Sequence, residues 1–130
     1  MRVRLIVNPR SRRGRGAEES VRAQLARNGV ECVAADTPAP VEAIVVAGGD
    51  GTFVRYIARA LELDVPLGLV PLGTFNDLAR TLAIPLDIAG ACEVIASGKT
   101  RCIDVARVNG VYYVNEASIG LSSRIARVQK

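Results

Sequence analysis

The chain has no histidine and no tryptophan, and among its 130 residues only two are phenylalanine and three tyrosine. Without histidine, every arrangement that pairs a serine or cysteine nucleophile with an imidazole base is excluded. The same absence, with no CxxC pair, removes the usual zinc-ligand patterns. Cys32, Cys92 and Cys102 are far apart in apolar sequence and read as small buried hydrophobes of a reducing compartment. With aromatics at 4%, the core has to be built from Val, Ile, Leu and Ala, which favours buried strands and packed helices over an aromatic-rich sandwich. No apolar run approaches the roughly 18 residues of a membrane span, and Met1 leads into a strand-like pattern instead of a signal peptide. A cytoplasmic protein is expected.

What is present fits one globular domain, since this length supports a single core and no more. The net charge is +4, and lysine occurs only at Lys99 and Lys130, so the basic side is almost wholly arginine. Arg10, Arg12, Arg13 and Arg15 crowd one short stretch. Arginine forks bind phosphate bidentately, so the cluster suits a nucleotide, a nucleic acid, an anionic membrane, or simply solvent. No aromatic residue interleaves with it, which argues against nucleic acid.

Residues 2–8 alternate and then turn continuously apolar, as a buried strand does, and Pro9 stops them. A helix is predicted from Ala17 to about Arg27, with Val21 and Leu25 on one face and Asn28-Gly29 as its stop. Val30–Ala35 reads as a second strand and Glu42–Ala47 as a third, the latter apolar enough to be buried on both faces. After a glycine loop at 48–52, a helix is expected to carry Phe53, Ile57, Ala58 and Leu61 as one stripe. Pro66–Pro71 is a fourth strand, followed by a loop at 72–77 and a short helix around Leu78–Leu82. Asp87 should cap a helix over Ile88–Ser97 that turns Ala91, Cys92 and Ile95 inward and ends at Gly98. Cys102–Val108 and Val111–Asn115 flank Asn109-Gly110, a strong hairpin signal. The stretch 119–130 is helix-like and basic. Strands alternating with helices give an α/β domain with a mainly parallel sheet, closed by a C-terminal antiparallel hairpin.

The link between the second and third strands is short. About six residues, Asp36 to Val41, separate them, where a parallel crossover ordinarily takes a dozen or more. Three solutions follow: a taut extended strap, a displaced second strand, or a strand exchanged with another copy.

Two loops carry chemistry. Gly48-Gly49-Asp50-Gly51-Thr52 lies between a buried strand and a helix, where glycines let backbone amides approach a ligand and the helix points its positive end at the same place. It is neither a GxxxxGK[ST] nor a GxGxxG element. Valine at position 49 is expected to fill phosphate space and abolish binding with the fold intact. Pro71-Leu72-Gly73-Thr74-Phe75-Asn76-Asp77 follows the next strand and offers a turn, a hydroxyl, an amide and a carboxylate. Its plain structural alternative is a helix start capped by Asn76 or Thr74. In a parallel sheet the two loops should share one edge.

NPRS at 8–11, GGDGT at 48–52, PLGTFNDLAR at 71–80, Asp104 in CIDV and NEASIG at 115–120 together resemble, in order, the segments of the diacylglycerol kinases. The wider family includes sphingosine and ceramide kinases and bacterial lipid kinases. GGDGT alone is shared with NAD kinases, and NPRS with PLGTFND turns the match toward lipid kinases. The resemblance implies a parallel sheet with helices on both faces and an ATP- and magnesium-dependent transfer of phosphate to a lipid hydroxyl. It implies that Asn8, Pro9, Arg10, Ser11, Arg12, Thr37, Gly48, Gly49, Asp50, Gly51, Thr52, Phe53, Val54, Thr74 and Asn76 surround ATP. Asp50 and Asp77 would serve catalysis, and Asp77 and Asp104 would help hold magnesium through water.

The chain departs from the family at Arg12, where glycine is usual, and at Val54 and Arg55, which replace Asn-Glu. It also lacks the family's helix between the second and third strands. Residues 1–130 correspond to the nucleotide-binding domain, without the β-rich second domain that supplies the general base, so the chain alone is expected to be inactive. The alternative is a non-catalytic nucleotide-binding or regulatory module. The apolar ribbon 111–114 predicts a homo-oligomer, and a lipid substrate predicts peripheral membrane contact.

Overall fold

The computed structural model describes residues 1–10 and 16–114; Ser11, Arg12, Arg13, Arg15, the 115–120 segment and the expected helix 119–130 lie outside the described residues. The chain runs β1 (Arg2–Val7), α1 (Ala17–Arg27), β2 (Glu31–Val33), β3 (Ala43–Gly48), α2 (Asp50–Arg55), α3 (Ile57–Leu63), β4 (Leu67–Pro71), α4 (Asp77–Thr81), α5 (Ile88–Ala96), β5 (Ala106–Val108) and β6 (Val111–Tyr113). The first four strands form a parallel sheet in the order β2-β1-β3-β4, and β5 and β6 form an antiparallel hairpin. This is the expected α/β architecture, with helices on both faces.

Strand alternation assigns the two faces. Val3 and Leu5 of β1, Ala43, Val45 and Ala47 of β3 and Val70 of β4 meet Val21 and Leu25 of α1 and Ala91 and Cys92 of α5. The opposite face joins Ile6, Ile44, Val46 and Leu69 to Phe53, Ile57, Ala60, Leu78 and Ala79 of α2, α3 and α4. Both sides of β3 are therefore sealed, and all its residues are buried.

Local sequence explains the ends. In α1 the acidic Glu18 and Glu19 lie in the first turn and Arg27 in the last, matching the helix dipole. Gly29, at φ 78°, takes the left-handed turn after it. The Asp87 carboxylate accepts from Gly90 N at 2.8 Å and starts α5. Asn109 and Gly110 both have positive φ, 52° and 79°, the geometry of the two-residue hairpin turn that Asn-Gly favours.

Three expectations need correction. The helix after the glycine loop is divided at Tyr56 into α2 and α3, and its buried stripe is Phe53, Ile57 and Ala60. Ala58 is exposed and Leu61 is 59% exposed, because the small Ala60 takes the place nearest the sheet. Cys102 is exposed and Cys32 only half-buried, leaving Cys92 as the one cysteine that fits the buried reading among the described residues. In β6 only part of the apolar ribbon is open: Tyr112 packs, with Val114 beyond it, against the α2 side, while Val111 faces solvent.

The short link is a helix-free strap over residues 34–42 that opens with a turn, Thr37 N donating to Ala34 O at 3.1 Å and Ala39 N to Thr37 O at 2.9 Å. It works because β2 ends level with Arg4 and β3 begins level with Val3, so almost no return along the strand is needed. Two lateral strand spacings amount to about 10 Å, well within the roughly 30 Å such a segment can reach. The strap lies on the α2 side of the sheet, where Arg4 of β1 gathers its carbonyls.

Candidate functional site

Because β1, β3 and β4 are parallel, their carboxyl ends open onto one edge, and so do the loops that follow them. The ladder continues just past the strands, with Asn8 N donating to Ala47 O at 3.0 Å and Leu72 N to Gly48 O at 2.9 Å. The Asn8 carboxamide then links two loops. Its Nδ2 donates to Thr52 Oγ1 at 2.8 Å, and its Oδ1 accepts from Arg10 N at 2.9 Å, folding the chain over Pro9.

The glycine loops touch backbone to backbone. A Cβ on Gly73 would stand 2.6 Å from Gly49 Cα and 3.0 Å from Asn76 Oδ1, and a Cβ on Gly49 would stand 3.2 Å from Gly73 Cα. Glycine at 73 is thus required by the approach of one loop to the other, and at 49 a Cβ fits only if the Gly73 backbone gives by a few tenths of an ångström. Valine at 49 would press on Gly73 as well, so a loss of binding in that variant would not report on phosphate space alone. Gly51 differs, because a Cβ there meets no protein atom within 4 Å.

Two polar side chains fix this arrangement. Asn76 is 5% exposed and left-handed at φ 53°, a conformation asparagine tolerates better than most residues. Its Oδ1 accepts from Gly73 N at 2.9 Å and its Nδ2 donates to Gly73 O at 3.0 Å, closing the loop on itself. Asn76 occupies the capping position of α4, yet its side chain makes no cap bond there. The cap arrives from the other loop: Asp50 accepts from Asp77 N at 2.9 Å and from Leu78 N at 3.1 Å, one amide to each carboxylate oxygen. A carboxylate at a helix N-terminus is favoured by both hydrogen bonding and the helix dipole.

The remaining residues separate into three groups. Gly48, Thr52 and Asp77 stand with the converged loops, the Asp77 carboxylate on the exposed first turn of α4, and Thr74 and Phe75 project outward. Phe53 is buried and Val54 half-buried against the same core. Thr37 lies on the strap, where its carbonyl accepts from Arg4 Nη1 at 2.6 Å, and Asp104 is exposed on the segment leading to the hairpin. Among the described residues, no group of three or more His, Cys, Asp or Glu side chains converges. Thiol chemistry finds no support at Cys92, whose thiol is pushed up to about 11 by burial and then by Cys32, nor at Cys32, raised by burial against the opposing pull of Arg22.

Two features escaped the reading of the sequence. The bond from Asp50 to α4 needs the fold to bring the loops together, and Arg4 looked like an ordinary outward position of an alternating strand.

The diacylglycerol kinase catalytic domain family matches residues 2–108. The chain is 36% identical over 85 residues to a diacylglycerol kinase of Staphylococcus epidermidis, covering 64% of this chain and 27% of that protein. It is 44% identical over 80 residues to one of Bacillus subtilis, covering 59% and 26%. A diacylglycerol kinase crystal structure from Bacillus anthracis superposes with a TM-score of 0.67 at 28% identity, covering 86% of this chain and 45% of that one. A second structure from the same organism, a putative diacylglycerol kinase by its description, gives 0.66 at 30% identity, covering 86% and 47%. The chain thus spans about a quarter of the curated relatives and under half of the solved ones. With the two glycine loops meeting where β3 and β4 end, this chain belongs to the diacylglycerol kinase catalytic domain family.

Proposed function

We propose that this chain is the nucleotide-binding part of a lipid kinase, holding ATP along the edge where β1, β3 and β4 end, with a lipid hydroxyl as phosphoryl acceptor. The observation that carries the reading is the backbone contact between Gly49 and Gly73, which places two glycine loops on one ligand edge. Phosphoryl transfer asks mainly for positioning and charge neutralisation, and the site is made of such parts. Backbone groups of Gly48 to Val54 would line the phosphate path, with Asn8 holding Thr52, and with Pro9, Arg10, Ser11, Arg12, Thr37 and Thr74 around the rest of the nucleotide. Asp50 and Asn76 act as pins of the loop pair.

Magnesium fits as a substrate-borne ion. It keeps several waters and takes one or two carboxylates together with phosphate oxygens. Asp77 and Asp104 have exposed carboxylates that suit such water-mediated holding. When bound it would neutralise phosphate charge. The general base for the lipid hydroxyl is assigned to none of the described residues.

A lipid acceptor is met at a membrane surface, so peripheral contact belongs to the reading; no helix among the described residues is long and apolar enough to cross a membrane. Self-association through the hairpin also belongs to it, resting on the exposed Val108 and Val111. Calorimetric titration with ATP and magnesium tests the core claim. Saturable binding is expected, and no heat up to about 1 mM ATP, the top of the usual substrate range, would overturn it. Phosphorylation of diacylglycerol in vesicles separates transfer from binding alone.

A further inference from the structure

Arg4 is the anomaly of β1. Its neighbours Val3, Leu5 and Ile6 are buried and apolar, and by alternation Arg4 shares the α2 side with Ile6. A guanidinium in such a place is unfavourable unless its N–H groups find acceptors. Among the described residues it makes no ion pair. Its partners are carbonyls of the strap: Nη1 donates to Ala34, Ala35 and Thr37 at 3.3, 3.0 and 2.6 Å, and Nη2 to Ala39 at 2.9 Å. Its Nε–H is buried with no acceptor. The head group is therefore placed to serve the strap and not to satisfy itself.

The strap needs that service. It has no helix and no ladder of its own; Ala34 O and Thr37 O each accept from an amide of the strap, Thr37 N at 3.1 Å and Ala39 N at 2.9 Å, while Ala35 O and Ala39 O are met by Arg4. A planar fork of donors on one stem can collect several at once, which lysine cannot do in the same geometry. β1 then anchors two segments, one near each end of the strand. Arg4 fixes the strap, and Asn8, past the end of the same strand, fixes Thr52 of the glycine loop.

We propose that Arg4 is a positioning residue of the nucleotide site, its guanidinium holding the 34–42 strap and with it Thr37, one of the residues placed around the nucleotide above, so that ATP affinity depends on it. The proposal rests on the nucleotide reading above. It goes further by naming a residue, outside the set placed around the nucleotide, that acts through the strap.

The test uses Arg4→Ala in the full chain, with hydrogen exchange and ATP titration read together. The amides of Thr37, Ala39 and Glu42, which are hydrogen-bonded in the folded chain, should exchange about 10-fold faster or more, while those of β3 keep their protection. ATP should bind about 10-fold more weakly, and millimolar guanidinium ion should restore both readouts. A merely structural arginine would lower stability throughout, with no selective loss of ATP affinity in the folded chain. A loosened strap with unchanged ATP affinity overturns the proposal, and so does weaker ATP binding with an unchanged strap. If Arg4→Ala does not fold, Arg4→Lys replaces it, with an intermediate loss in both readouts expected and wild-type behaviour overturning the idea. Failure of the unaltered chain to bind ATP removes the nucleotide reading and this proposal with it, and is distinguishable because it appears before any substitution.

Discussion

The two faces of the sheet are built from different materials. Under α1 and α5 the buried set is Val, Leu, Ala and one cysteine, with no polar side chain among its buried members. Under α2, α3 and α4 an apolar cluster of similar make-up is bordered by Arg4, Asp50 and Asn76, each bonded to backbone of another segment or of its own loop. Non-directional burial needs only shape and area, so the first face can be sealed by any well-fitting hydrocarbon. Holding three loops at fixed distances needs directional bonds, and these are on the second face. Both faces contribute burial, and the second also carries the directional bonds that set where the backbone of the converged loops lies.

The comparison breaks if a substitution on the first face alters ligand binding as much as stability. Leu25 of α1 is fully buried against Val3 and Val45 on the sheet. Leu25→Ala should destabilise by about 3 kcal/mol, from lost transfer energy and the cavity left behind. ATP affinity measured well below the melting point should stay within about 2-fold. A large loss of affinity in a still-folded variant would show that the faces are coupled.

Gly73→Ala reverses the pattern. Its Cβ would stand 2.6 Å from Gly49 Cα, so the loops must separate, and Asn76 must release one or both bonds to Gly73. The cost should be about 2 kcal/mol, typical of overpacking, while ATP binding falls below detection in calorimetry. Unchanged affinity would mean that the loops do not act as one site.

Alkali sharpens the contrast from the first face. Cys92 is buried there, and its thiol is pushed up from 9.0 to about 11, burial being the larger cause. The unfolded chain then loses this proton at lower pH than the folded one. The contribution is fully present below pH 9.0 and is lost as pH rises toward about 11. The loss is about 3 kcal/mol at most, and Cys92→Ala should flatten that part of the stability profile. Denaturant melts at pH 8, 9.5 and 11 would show equal slopes for both proteins if the idea is wrong.

Legibility in the sequence divides along the same line. Helix α1 was legible to within a residue, because Val21 and Leu25, the acidic first turn and Asn28-Gly29 are all local signals. β3 and the Asn109-Gly110 hairpin were legible for the same reason. The glycine loops were legible as a pair once the strands were read as parallel. What could not be read was long-range and polar. Asp50 caps α4 from 27 positions away, and no local pattern records that bond. Arg4 has the periodicity of a surface strand position, and only the path of the strap turns it inward. The strap looked too short because the second strand was read through Ala35; ending at Val33, it leaves a longer link and little distance to recover. Ala60 was displaced by Leu61 in the predicted stripe because hydrophobicity favours leucine, whereas close approach to a sheet favours alanine.

The smallest expected effect is the most discriminating. Gly51 is an exposed residue of α2, and a Cβ there meets no protein atom within 4 Å. Alanine is a better helix former than glycine, so Gly51→Ala should raise stability by roughly 0.5–1 kcal/mol. If the nucleotide comes up against this backbone, the same methyl group occupies ligand space and ATP binding weakens. Stability and affinity then move in opposite directions, which neither a folding defect nor a loosened loop can produce. Gly49 and Gly73 cannot offer this separation, because a Cβ at either presses on the other loop before it reaches any ligand. Thermal melts and ATP titrations of this one variant suffice. A more stable chain with unchanged ATP affinity would move the phosphate path away from Gly51 and leave Gly49 and Gly73 as packing glycines alone.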